Sequence, residues 1–492
     1  MRTSVRTALV AVLTAAATAA TTAVTVSALG APAPETHGTT ALVGRAVLPA
    51  DTFRPGSAPS GAFFGAGDRA SAANNGLTLP ATGPAFEHQP VQGFSALIPT
   101  GTAGEYWALS DNGYGARNNS ADFELFVHRV RPTLATGAAA PGPVQVLGGF
   151  GLSDPWRKVP WQTVCDRSGA ALPPFDFNAL PATRPQLCGE PAARRLTGFD
   201  FDLESVQIAA DGTFWFGDEF GPFLLHTDTT GRLLERPIPV PGATSPQNPT
   251  LDVAGGERPT VNASKGLEGL GISPDRRTLY PLLEGATVDD NPSDLRIYRF
   301  DLRRHRFAGR YRYRVELPAG VVNTAALRLA DGTPAYPGDT PPPAGTGKNS
   351  IGELTVLNDR QAVVIERGPG GDYPNLARMR GVYLITFPRG ADGGLVEKRP
   401  LIDLMAIADP GGTGADGDYF RFPYATIEAI TPLDGQHLLI VNDNNYPFSN
   451  GRSFAAGGSP GNGLRPDANE FVTVHVTPAF TLDRRVLTPP GR

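Results

Sequence analysis

The chain has 492 residues, with Lys+Arg 43 against Asp+Glu 48, a formal net charge of -5 and 18% charged residues. No strongly basic face is implied, which argues against nucleic acid as a partner. Gly 58 and Pro 48 together make up about a fifth of the chain, a turn density that suits many short strands and argues against long helices.

In chain order, Arg2 and Arg6 precede an apolar, alanine-rich run from Ala8 to Val26, and small residues continue to Ala33. A positive region, an apolar region and a small-residue exit describe a secretory signal peptide over residues 1–33. The chain is therefore expected to be exported. No other stretch approaches the roughly 20 apolar residues that a membrane span needs. A single folded domain is expected over residues 40–480, opening with a strand near Ala41–Val47.

A first strand-turn-strand unit joins Phe94–Ile98 to Tyr106–Ser110, ends in Asp111-Asn112-Gly113, and is followed by a strand from Leu125 to Val130. Residues 155–191 show no clear strand pattern and read as a loop insertion carrying both cysteines, Cys165 and Cys188. In an exported chain a lone pair is expected to form a disulfide rather than a metal or redox site.

The next unit is fuller. Asp202-Leu203-Glu204-Ser205-Val206-Gln207-Ile208 leads through Asp211-Gly212 to Phe214-Trp215-Phe216-Gly217-Asp218-Glu219. The same grammar returns from Gly266-Leu267-Glu268 to Leu283-Glu284, from Ile351-Gly352-Glu353 to Glu366-Arg367, and from Ile427-Glu428 to Asn442-Asp443-Asn444. A further alternating strand follows each, at 223–228, 295–301, 381–387 and 471–476. Pro/Gly-rich stretches at 132–143, 237–260 and 332–347 read as loop insertions between strands. Recurring units of this kind predict a β-propeller. Five units are visible; the strand at Ala41–Val47 either closes the ring or contributes to a sixth blade, and six blades are the expectation.

Each full unit offers a leading glutamate and a second acid 13 to 16 residues later: Glu204 with Asp218, Glu268 with Glu284, Glu353 with Glu366, Glu428 with Asp443. In a propeller blade those two positions lie at the same end, so the repeat predicts a ring of carboxylates at one mouth of the central channel. Packed carboxylates repel unless a cation sits among them. Calcium, with its preference for hard oxygen ligands, is the expected ion, and Glu204, Glu268, Glu284, Glu353, Glu366, Glu428 and Asp443 are its candidate ligands. No His-x-His or His-Glu-x-x-His pattern points to zinc. Lys265, Arg367, Arg117 and Arg452 follow or precede the acidic loops and are candidates to bind an anionic substrate. The plainer alternative is that Asp111, Asp443 and Asn444 cap their own loops.

Asp202-Leu203-Glu204-Ser205, Gly217-Asp218-Glu219-Phe220-Gly221-Pro222, Lys265-Gly266-Leu267-Glu268-Gly269-Leu270 and Glu366-Arg367-Gly368 resemble the signature of the phytase-like family described as having esterase-like activity. The resemblance spans roughly residues 40 to 480 in the family's order. It implies a propeller and, by analogy with propeller phytases, calcium-dependent hydrolysis of phosphomonoesters. The chain lacks the dense lysine cluster that would hold inositol hexakisphosphate, so phytate itself is disfavoured. In this reading Asp218 or Glu219 orients a calcium-bound water while Lys265 and Arg367 steady the transferring group. The chain is expected to act as a monomer on a small-molecule ester or phosphoester. A calcium-dependent lactonase or carboxylic esterase, and a non-catalytic binding propeller with structural calcium, remain as rivals.

Overall fold

The structure is a computed structural model and describes residues 39–137, 140–167, 184–316, 349–390, 392–414 and 418–489. The proposed signal peptide and the 332–347 insertion lie outside the described residues. Among the described residues no helix is long and apolar enough to cross a membrane.

Among the described residues, twenty-two strands carry the architecture. The first is β1 (Thr39–Leu48); twelve others form three four-stranded antiparallel sheets, and the rest join β1 in one ten-stranded sheet. The first blade is β2 (Phe94–Pro99), β3 (Tyr106–Ser110), β4 (Phe126–Pro132) and β5 (Gly142–Gly151). The second is β6 (Leu203–Ile208), β7 (Phe214–Asp218), β8 (Phe223–Thr227) and β9 (Ile238–Pro239). The third is β10 (Leu267–Ile272), β11 (Thr278–Leu283), β12 (Asp294–Asp301) and β13 (Arg306–Arg314). The fourth is β14 (Ser350–Val356), β15 (Gln361–Arg367), β16 (Arg380–Thr386) and β17 (Glu397–Asp403). After the two-residue strands β18 (Ile407–Ala408) and β19 (Tyr419–Phe420) come β20 (Ala429–Pro432), β21 (His437–Val441) and β22 (Asn469–Thr477). β1 pairs with β22 from Thr39 opposite Thr477 to Leu48 opposite Asn469, and so supplies the outer strand of the fifth blade.

Burial explains the strand composition. β6, β7, β8 and β10 are buried at every residue because blades pack on both their faces, so they read as nearly unbroken apolar runs. The outer strands β5 and β13 alternate toward solvent and carry the arginines and glycines. Five apolar clusters fill the spaces between neighbouring blades: Leu203, Val206 and Phe216 meet Leu109 and Val127 between the first two, and Val472 and Ile440 meet Val363 and Ile365 between the last two. The others lie between the second and third blades, the third and fourth, and the fifth and first. The innermost strands β2, β6, β10, β14 and β20 touch in sequence, and β20 returns to β2.

The described strands thus make five blades, not the expected six. β1 completes a blade begun by the other end of the chain, so the strand that suggested a sixth unit closes the ring instead. Cys165 and Cys188 are disulfide-bonded and buried beside Val164, Leu187 and Phe199, pinning the loop between the first and second blades.

Candidate functional site

One end of the channel is built by a repeated irregularity. In the first four blades the pairing of the first two strands skips one residue near the start of the inner strand: Ser95, Glu204, Glu268 and Gly352. In the fifth, pairing begins at Ala429 opposite Val441 and leaves Glu428 in the same place. Such bulges re-aim a side chain out of the sheet, here at the channel mouth. At the matching step after the second strand stand Asp111, Glu219, Glu284, Arg367 and Asp443. The amides of Asp111, Glu219 and Glu284 bond back to the carbonyls of Gly93, Asp202 and Gly266 at 3.0, 2.8 and 2.8 Å.

These positions bring together Glu204, Glu268, Glu284, Glu428 and Asp443 from the predicted ligand set, with Glu219, Lys265 and Arg367. Two groups of carboxylates come within metal-sharing reach, Asp202 with Glu204 and Glu219, and Glu219 with Glu268 and Glu284, each offering oxygens within 4.8 Å of one another. Glu219 belongs to both, and its buried Oε1 has no hydrogen-bond partner. Lys265 pairs with Glu284, and Arg367 Nη2 reaches Glu268 and Glu284 at 3.3 Å and Glu428 at 3.1 Å. The cations are the more open groups: the Lys265 and Arg367 side chains are 29% and 18% exposed, against 2–5% for those three glutamates.

The electrostatics follow from that crowding. Burial, then neighbouring carboxylates, pushes Asp111, Asp202, Glu204, Glu219, Glu268 and Glu428 well above the ordinary carboxylate range. Burial raises Asp443 to about 6. Glu284 is the exception: burial would raise it, but Lys265 and Arg367 outweigh burial and hold its carboxyl low. The donor set is all oxygen and anionic, which suits a hard divalent cation such as calcium.

Four predicted site residues lie elsewhere, and so does a fifth in effect. Glu353 and Glu366 each miss the mouth by one residue, because Gly352 is the bulged position and Arg367 the terminal one. With a side-chain period of two, that slip sends both to other surroundings. Glu353 accepts the amides of Leu270 (3.0 Å) and Leu354 (2.6 Å) in the channel wall. Glu366 accepts from Tyr313 OH, the Glu316 amide, Asn349 Nδ2 and Lys398 Nζ at 2.6–3.0 Å, which leaves it little capacity for a metal. Arg117 donates to the carbonyls of Phe199 (2.6 Å) and Gln247 (2.7 Å), tying loops together. Arg452 pairs with Glu470 at 2.5 Å within the fifth blade. Asp218 sits among the mouth residues in sequence but spends its carboxylate on the amides of Asp202 (2.9 Å) and Gly221 (2.7 Å). Asp202, absent from the expected ligand set, belongs to one of the two carboxylate groups; its signal is the Asp-Leu-Glu of the second blade where the third has Gly-Leu-Glu.

A β-propeller with a carboxylate-lined mouth defines the class. The model of the family described as "Phytase-like: Esterase-like activity of phytase" matches residues 89–446, and the chain belongs to that family. A protein of Arthroderma benhamiae (strain ATCC MYA-4681 / CBS 112371), described as an uncharacterized secreted protein, is 27% identical over 209 residues, 37% of this chain and 40% of the relative. The chain therefore matches about two fifths of that relative's length. Among solved structures, regucalcin of Agrobacterium tumefaciens, a calcium-binding protein, is 11% identical over 79% of this chain and 92% of its own, with a TM-score of 0.28. The PQQ-bound aldose sugar dehydrogenase of Streptomyces coelicolor is 11% identical over 78% and 95%, with a TM-score of 0.32. At these scores neither overlay bears on what this chain does.

Proposed function

We propose that the chain is a calcium-dependent hydrolase of small anionic esters, with phosphomonoesters as the first substrate class. The observation that carries this reading is Glu219: it is shared between two carboxylate groups, with a buried oxygen left unpartnered near Lys265, a more open cation. Asp202, Glu204 and Glu219 on one side, and Glu268 and Glu284 on the other, are the residues that would hold calcium. Bound there, calcium would polarise a phosphoryl oxygen and lower the pKa of water. Lys265 and Arg367 are the groups an arriving anion meets, and they orient its oxygens over the carboxylates. Asp202 is held in place by Asn112, whose Nδ2 donates to it at 2.9 Å. Glu219 Oε1, buried and without a hydrogen-bond partner, is the atom that would take a proton from attacking water. We further infer that the chain works outside the cell; the basic-then-apolar leader and the Cys165–Cys188 disulfide support this.

The test is a hydrolysis panel on the mature protein with calcium or chelator, covering phosphomonoesters, carboxylic esters and lactones. Phosphate release that chelator abolishes, and that Glu219→Gln lowers by at least about 100-fold, supports the reading. Turnover of lactones or carboxylic esters alone moves the site to an uncharged substrate. Silence on every substrate, with calcium still raising the melting temperature, leaves a binding propeller.

A further inference from the structure

The fourth blade breaks the pattern of the mouth in two places. Where the second, third and fifth blades present a glutamate at the start of the inner strand it has Gly352, and where the other four end the second strand with an acid it has Arg367. Gly352 removes a carboxylate and Arg367 replaces another with a cation.

The contacts of Arg367 resemble ion coordination more than an ordinary pair. An arginine on a single carboxylate commonly presents two nitrogens to two oxygens at about 2.7–2.9 Å. Here one nitrogen, Nη2, faces oxygens of three carboxylates, Glu268 and Glu284 at 3.3 Å and Glu428 at 3.1 Å. Glu268 and Glu284 come from the third blade and Glu428 from the fifth, so one positive centre bridges the gap that the fourth blade's missing acids leave. Glu219, whose carboxylate comes within 4.8 Å of those of Glu268 and Glu284, keeps a buried Oε1 with no hydrogen-bond partner. Arg367 thus engages Glu428 and the third-blade pair, while Glu219 Oε1 and the second-blade acids make no contact with it.

We propose that Arg367 is a built-in cation that takes the place of a further divalent ion, confining exchangeable metal to the carboxylates of the second and third blades. This rests on the metal-binding reading given above. It assigns Glu428 to Arg367 rather than to a metal, and makes Arg367 a determinant of how many ions the mouth holds.

The experiment is calcium stoichiometry by equilibrium dialysis on the full mature chain, with melting temperature read against calcium concentration. Arg367→Gln is expected to bind one more calcium per chain than the wild type, and its melting temperature to climb more steeply with calcium. Arg367→Lys, which keeps the charge, is expected to hold the wild-type number. Wild-type binding with no gain in Arg367→Gln overturns the inference and leaves the metal-dependent reading standing. Calcium bound by Arg367→Gln but not by the wild type upholds the inference and sinks that reading; no calcium in either overturns both. Should Arg367→Gln fail to fold, Glu428→Gln decides: an unchanged calcium number supports the assignment of Glu428 to Arg367, and the loss of an ion overturns it.

Discussion

Glu470 is buried with an arginine on either side. Arg45 donates to it from Nε at 2.7 Å, Arg452 from Nη2 at 2.5 Å, and the Tyr424 hydroxyl adds a third bond at 2.6 Å. The two arginines hold its carboxyl low although burial alone would raise it. Every lobe of this carboxylate is engaged, whereas Glu219 at the mouth keeps an oxygen free. On the proposed function, that contrast separates a structural acid from one free to bind a ligand. Arg452→Ala removes one of two cations from a buried carboxylate, so it is expected to lower stability by ~1–3 kcal/mol in urea unfolding. Turnover and calcium dependence are expected to stay as in the wild type. Weakened substrate binding at unchanged stability would return Arg452 to the site.

At the scale of the strand, the bulge decides which residues meet. Its place is set by close approach between blades, which only glycine permits at two points. A Cβ on Gly266 would lie 2.3 Å from the Glu219 carbonyl oxygen, and one on Gly352 would lie 2.1 Å from that of Ile427, next to Glu428. Gly352→Ala must therefore push β14 away from the fifth blade. Overpacking of this kind is expected to cost ~1–3 kcal/mol, read as a lower melting temperature. The calcium number should be retained, because Gly352 touches the Arg367 side of the mouth. An unchanged melting temperature would mean the two blades have slack there. The same register explains what could be read in the chain beforehand. Strand-turn-strand units, their order and most of the acidic ring were legible because inner strands are buried on both faces and repeat. Glu353 and Glu366 fall outside the mouth because spacing counts residues along a strand but does not reveal which one is bulged. The place of Gly352 and Arg367 in the ring follows only from the pairing of β14 with β15. The blade number was likewise hidden, since β1 and β22 come from opposite ends of the chain.

Over the whole molecule, the ring gathers into one space carboxylates that four separate blades contribute, and folding alone creates their repulsion. The calcium-free chain should register this as a pH dependence. Asp111, Asp202, Glu204, Glu219, Glu268 and Glu428 are raised on folding, by burial first and by one another second. A carboxyl with a raised folded pKa stabilises the fold fully below its unfolded value of about 4. That contribution is lost as pH climbs through the folded value, which is about 6 for Asp443 and higher than ordinary for the rest. Glu284 and Glu470, held low by their cations, act in the opposite sense and lose their contribution as pH falls. The raised groups outnumber them, so with chelator present the melting temperature is expected to fall as pH rises from about 5 to about 8. Calcium binds the deprotonated form, so its stabilisation should grow over the same range, reaching roughly 2.7 kcal/mol per site at 100 times its Kd. The measurement is a set of thermal melts at several pH values with calcium and with chelator. A gap between the two curves that widens with pH supports a mouth whose carboxylates trade protons for metal. A gap that stays constant would place calcium elsewhere on the molecule, and no gap at any pH would leave Lys265 and Arg367 as the only cations the ring recruits.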